Sequence, residues 1–262
     1  MEREEFMQSG DGLGNTFGRS WELLAANWIM LVPGLVIGIV AAVLVFFAVG
    51  AGLAGGVGLS AAGMSGAGLG TAAMFGILAA VIGLVAMILT VAYTTGMAGA
   101  AWRTGRATLD DGAAAFRKDG GSILVAIVLL IVLGIVAALL ALPTLGLSFL
   151  AFGLFFLYTF ASIIVGGKSG TESLGDSAKI TTRNFVTTLL LLILICIVSF
   201  VGSWLGNVIS NSIPLLGRIV AIIIQEIVTV YATLVIVGEY IKLSSAPAVV
   251  ATPPSAGPPA TY

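Results

Sequence analysis

"SLGDSAKITTRNFVTTLLLLILICIVSF", residues 173–200, changes character halfway along. As far as Asn184 it mixes hydroxyl, charged and small residues, with Leu174, Ala178, Thr181 and Phe185 recurring at i, i+4, i+7 and i+11. That spacing lines up one face of a helix. Beyond Asn184 the chain is almost wholly apolar. A join of this kind predicts a short amphipathic helix along a membrane surface, a polar hinge, and then a helix that crosses the bilayer.

Two other stretches have the same design: "TFGRSWELLAANW" at residues 16–28 and "TLDDGAAAFRKDG" at 108–120. Their helical faces carry Phe17, Trp21, Leu24 and Trp28 in one, and Leu109, Ala113, Phe116 and Gly120 in the other. Thr16, Thr108 and Ser173 open the three copies, each placed to cap a helix N-terminus through its hydroxyl. Asp111 and Asp176, three residues on, add a shortened capping box to the second and third copies. Asn27, Asp119 and Asn184 close the copies and are the expected hinges. The expectation is an all-α membrane protein of three hairpins, each preceded by an interfacial helix, with internal repeat symmetry.

Composition demands a membrane. Of 262 residues, 59% are hydrophobic and 9% charged, against about 25% charged in a soluble domain. So little charge cannot cover a water-exposed surface. Six runs reach the roughly 20 residues a crossing helix needs: 28–50, 72–97, 122–142, 145–166, 186–207 and 214–238. Gly and Ala are common in them and suit close helix packing in lipid. Segment 51–71, rich in Gly and Ala, reads as an outer connection.

Ten of the 11 Lys/Arg lie in 1–27, 98–121, 167–185 and 239–262, and the eleventh is Arg218. Positive charge stays on the cytoplasmic side, which predicts both termini there. Residues 1–15 form a polar tail with no signal-peptide pattern, 16–243 the membrane domain, and 244–262 a disordered Pro/Ser/Ala-rich tail.

The stretch "SLGDSAKITTRNFVTTLLLLIL" (173–194) resembles the S-L-x-x-S-W-x-x-x-x-x-N approach to a membrane helix. That pattern belongs to six-helix proteins of the YciC type and to the membrane domain attached to some glycerophosphoryl diester phosphodiesterases. Ser20, Trp21 and Asn27 carry the same pattern. "VYATLVIVGEYIKL" is similar to the group's closing pattern, with Glu239 at its acidic position and Lys242 near its basic one. The resemblance implies the six-helix fold. The phosphodiesterase chemistry sits in a separate soluble domain for which these 262 residues have no room.

Chemistry-bearing residues are few. His is absent and Cys196 is the sole cysteine, so no metal, cofactor or catalytic residue is expected. The net charge of −1 speaks against a nucleic-acid partner. Glu226 lies near the middle of the sixth run, where an ionisable group is costly and marks a functional-site hypothesis. Gln225, Thr229, Thr233 and Arg218 extend a polar stripe from it. Two readings stand: an intramembrane site for an ion, proton or polar substrate, or a protonated Glu bonded to a neighbouring helix. Trp28, Trp102 and Trp204 fall near span ends, where such rings settle at headgroups. The expected function is non-enzymatic, through membrane lipids, other membrane proteins or a second copy, as a scaffold or accessory subunit. The alternative is a small transporter or channel with Glu226 in its path.

Overall fold

The computed structural model describes residues 12–245, which are helical almost throughout and contain no strand. Helix α1 spans Leu13–Ala26 and a 3-10 turn, Trp28–Met30, leads into α2, Leu31–Ala61. Next come α3 (Ser65–Thr104), α4 (Leu109–Leu139), α5 (Leu147–Phe156), α6 (Thr159–Ile164), α7 (Gly170–Arg183), α8 (Phe185–Ser212) and α9 (Pro214–Ser245). Among the described residues, six stretches are long and apolar enough to cross a membrane, α5 and α6 together making the fourth. The protein is a multi-pass, all-α membrane protein. Of the two expected tails, only 12–15 and 244–245 fall within the described residues, and 13–15 and 244–245 are helical.

The apolar core gathers at one end of the bundle, the base, where α1 and the C-terminal half of α9 meet. Leu23, Met30, Met97, Tyr158, Ile180, Leu234 and Tyr240 are buried there together. Away from the base, large apolar side chains such as Phe46, Phe47, Leu69, Leu139 and Phe200 are exposed. Lipid tails solvate such groups as well as a neighbouring helix does, so apolar burial alone gives membrane helices little reason to associate. Close backbone approach and hydrogen bonds must hold the base.

The outer connection expected at 51–71 is helix instead, and only 62–64 separate α2 from α3. Gly52, Gly56 and Ser60 of α2 face Phe75, Ala72 and Gly68 of α3, with Gly56 against the carbonyl of Gly68. In water so much glycine disfavours helix. In lipid an unwound segment would leave its N–H and C=O groups bare, and small residues every fourth position let the two backbones touch. At 1.5 Å per residue the 40-residue α3 is about 60 Å long, twice the roughly 30 Å hydrocarbon thickness. The α8–α9 pair uses the same device, with Gly206 against Ala221 and Gly217 against the backbone of Ile209. Gly34 and Gly38, also spaced by four, do not act as a pair, since nothing lies near Gly38.

The fourth span, expected as one helix over 145–166, is interrupted at 157–158. No proline or glycine sits at the break. Helix α7 satisfies the backbone groups that the break releases. Thr181 Oγ1 donates to the Leu154 carbonyl (3.0 Å) and Ser177 Oγ to that of Phe155 (2.8 Å), while the Tyr158 N–H donates to Ser177 Oγ (3.1 Å). A broken membrane helix persists where neighbouring hydroxyls supply the missing bonds.

The three lead-in segments differ from one another. In α1 and α7 the inward face is the hydroxyl face, with Thr16 and Ser20, and Ser173, Ser177 and Thr181, all buried. Trp21, Trp28 and Phe185 from the apolar face point outward. Both helices end at the predicted hinges, Asn27 (φ −129°, ψ 50°) and Asn184 (φ −125°, ψ 44°). Asn27 Nδ2 donates to the Leu23 carbonyl (2.9 Å) and Asn184 Nδ2 to that of Ile180 (3.2 Å). The second copy has no hinge: α4 runs straight through Asp119. A carboxylate has no N–H to give to the carbonyl four residues back, so the residue type that breaks the other two helices is missing here.

Of the three expected caps, only Thr108 is one. It begins α4, and Asp111 accepts from its N–H (2.8 Å) and its hydroxyl (2.7 Å). The cap of α7 is Ser169, boxed with Glu172, four residues before Ser173. Helix α1 is capped by Gly12 without a side-chain bond, and Thr16 lies inside it. Ser173 and Thr16 are one turn into their helices, and their hydroxyls serve other partners.

Candidate functional site

The polar groups of the protein concentrate at the base, in a seam between α1, α6, α7 and α9. Its centre is Glu239, fully buried near the end of α9. Thr16 Oγ1 donates to Glu239 Oε1 (2.5 Å), joining residues 223 positions apart. Lys242 Nζ, one turn along α9, reaches the same oxygen at 3.4 Å from a partly exposed position. Oε2 of Glu239 has no hydrogen-bond partner among the described residues, nor does the buried Ser20 Oγ on α1. Tyr231 fixes α1 a second time, its hydroxyl donating to the Phe17 carbonyl (3.2 Å) with Phe17 and Trp21 edge-on to its ring.

Beside Glu239 the seam continues through Tyr240. Its hydroxyl donates to Asp176 Oδ2 of α7 (3.3 Å), which also accepts from Ser162 Oγ of α6 (2.6 Å). Asp176, expected to complete a cap, instead ties three helices together. The Tyr240 hydroxyl rests against Gly166, where a side chain would collide with it. Trp102 of α3 reaches across to α9 and is no headgroup anchor: Nε1 donates to the Leu234 carbonyl (2.8 Å) and the ring packs against Gly238. Trp28 and Trp204 are exposed.

The hinge Asn27 also belongs to this end. Besides the Leu23 carbonyl it bonds the α3–α4 connection, donating to the Gly105 carbonyl (3.2 Å) and accepting from the Ala107 N–H (2.7 Å). A net hydrogen bond contributes about 0.5–1.5 kcal/mol, and bonds to charged groups about 1.5–3. The seam is therefore a sizeable fraction of what holds the base together. At the surface, Glu172 accepts from the Ser169 N–H (3.1 Å) and hydroxyl (2.9 Å), and the Ser169 bonds hold its carboxyl below the usual carboxylate range.

The stripe expected around Glu226 is spread out. Gln225 Oε1 is exposed and accepts from Ser203 Oγ of α8 (3.2 Å). Thr229 and Thr233 donate to the carbonyls four residues before them, Gln225 and Thr229, both at 2.9 Å. Their hydroxyls are thus used inside α9. Arg218 is exposed near the start of α9. The Glu226 carboxyl is pressed against Gly34 of α2, and its Oε1 is buried without a partner among the described residues.

Two surface grooves lie around α4. One, about 570 Å³, is lined by Ile37, Leu89, Tyr93, Ala113, Phe116 and Arg117. The other, about 330 Å³, holds Arg103, Lys118, Asp111 and Asp119 among its walls. None of the five residues of the Glu226 stripe lines either. Among the described residues no three His, Cys, Asp or Glu side chains gather as a metal site would require.

The sequence placed Glu239 at a span end through the family resemblance, yet its burial depends on α1 folding back over α9. Ser177 and Thr181 gave a weaker signal: hydroxyls at 173, 177 and 181 repeat every fourth position, the spacing of a buried polar face. No family model, curated protein or solved structure matches the chain.

Proposed function

We propose that this is a non-enzymatic protein of a prokaryotic plasma membrane that works through lipid or membrane-protein contacts, as a scaffold or accessory subunit. The observation that carries this reading is where the buried polar groups go. The Thr16–Glu239, Ser162–Asp176–Tyr240 and Ser177–Phe155 contacts each join one helix of the chain to another. They act as glue between helices, while the apolar outer halves of the spans face the surroundings.

The same reading includes three related units with both ends in the cytoplasm. Its support is the shared backbone geometry at Asn27 and Asn184, and a common packing pattern. Each lead-in segment lies on a helix of another unit: α1 on α9, the start of α4 on α3, and α7 on α4, α5 and α6. The orientation is supported by Arg103, Arg106, Lys168, Lys179 and Lys242, all at or beside the base. Kinship with the YciC type belongs to the same reading and rests on the sequence pattern at Ser20, Trp21, Asn27 and Glu239.

The buried Oε1 of Glu226, which has no partner among the described residues, favours a second reading, transport of a cation or polar solute. Glu226→Gln separates the two. In proteoliposomes the scaffold reading expects no proton or cation flux from either form, and the variant should replace the native protein in cells. Flux by the native chain, abolished in a folded Glu226→Gln variant, would establish the transport reading instead.

A further inference from the structure

The 570 Å³ groove between α2, α3 and α4 lies toward the base and is open along the surface of the bundle, as a site reached from the lipid would be. Its walls are apolar: Ile37 from α2, Leu89 and Tyr93 from α3, and Ala113 and Phe116 from α4. The Tyr93 and Phe116 rings stand 6.1 Å apart, and the Tyr93 hydroxyl donates to the Leu109 carbonyl (2.5 Å). The groove's aromatic side is therefore fixed by α3 and α4 together. Gly112 makes this possible, because a side chain there would collide with the Tyr93 ring.

Arg117 is the one charged residue in the lining. It is exposed, and its Nε donates to the carbonyl of Ala113 (3.4 Å), one turn back and itself part of the groove wall. Its two terminal amino groups have no partner among the described residues. A guanidinium with both outer nitrogens open is suited to two-point binding of a phosphate.

We propose that this groove is a binding site for an anionic diacyl phospholipid, with an acyl chain along Ile37, Leu89 and Phe116 and the phosphate on Arg117. The choice of an anionic lipid rests on charge complementarity. The second groove, on the other side of α4, pairs Arg103 and Lys118 with Asp111 and Asp119 and has no such excess. This deepens the reading given under Proposed function and rests on its membrane orientation, since Arg117 then lies in the anionic inner leaflet.

The test exchanges the purified full-length protein into vesicles of equal parts phosphatidylglycerol and phosphatidylcholine with matched acyl chains. Native mass spectrometry then counts the lipids retained. The native chain should retain phosphatidylglycerol preferentially, Arg117→Gln should lower that enrichment about fivefold, and Ala113→Phe should lower total retention by filling the groove. Arg218→Gln, at the opposite end of α9, should change neither. Equal enrichment in the native chain and a folded Arg117→Gln variant overturns the site, as does no enrichment at all, or an equal loss in Arg218→Gln. Each of these outcomes leaves the scaffold reading standing, because that reading is decided by flux and partner content.

Discussion

Thr16→Val removes one hydroxyl and keeps the branched shape of the side chain. In the structure that hydroxyl is the closest donor to Glu239; among the described residues the second carboxyl oxygen has no partner, and the Lys242 ammonium stands at 3.4 Å from the first. The substitution leaves a buried carboxyl group short of its main partner without opening a cavity. A hydrogen bond to a charged group is worth about 1.5–3 kcal/mol, so the expected loss is about 2 kcal/mol of unfolding free energy. Ser20→Ala, one turn along the same helix, is the internal comparison. Its hydroxyl is buried and has no partner among the described residues, so its removal should cost nothing or stabilise slightly. The assay is reversible unfolding in mixed micelles followed by circular dichroism, run as a double-mutant cycle with Glu239→Gln. Contacting residues show coupling of about 0.5–3 kcal/mol. A Thr16→Val cost no larger than that of Ser20→Ala, with zero coupling to Glu239→Gln, would refute the claim that the seam holds α1 to α9.

Asn27→Asp keeps the size of the hinge but removes the N–H groups given to the Leu23 and Gly105 carbonyls. It should lower stability by about 2 kcal/mol in the same unfolding assay, and more than Asn184→Asp, which loses one such bond. Leu145 sits at φ 52° in the turn between α4 and α5, is 94% exposed, and has no contact that would favour its side chain. Leu145→Gly should therefore stabilise by about 1 kcal/mol, read as a raised Tm. Glu172 has a depressed carboxyl pKa in the folded protein, so its contribution to the first turn of α7 is present above the ordinary carboxylate range. That contribution is lost as pH falls through the folded value. Protection factors of the amides at residues 170–173, taken against the intrinsic exchange rate at each pH, should fall as the medium is acidified through the lowered Glu172 value, and Glu172→Gln should abolish the dependence. Protection that is flat with pH in the native chain would contradict it.

The six crossings were legible because length and hydropathy are properties of single segments. Residues 51–71 were not, since glycine reads as a breaker in water, whereas in lipid the backbone must stay bonded and Gly56 gains contact with Gly68. The hinges at Asn27 and Asn184 could be read from their shared place after a helical face. Asp119 holds the same place but lacks the amide donor that closes the break. The Ser169–Glu172 box was visible as a spaced pair four residues before the hydroxyl chosen as the cap. The break in the fourth span had no local signal, because Ser177 and Thr181 of another helix sustain it. Glu226 drew attention by its depth in a span. Glu239, the better-connected carboxyl, looked like an end residue because only the tertiary fold lays Thr16 over it.

Native mass spectrometry of the protein released gently from its own membrane tests the functional claim most directly. The account predicts a second membrane protein at fixed stoichiometry, or a defined set of retained lipids, on a chain without bound small-molecule substrate. A lone monomer carrying a stoichiometric polar solute, lost on Glu226→Gln, would contradict it.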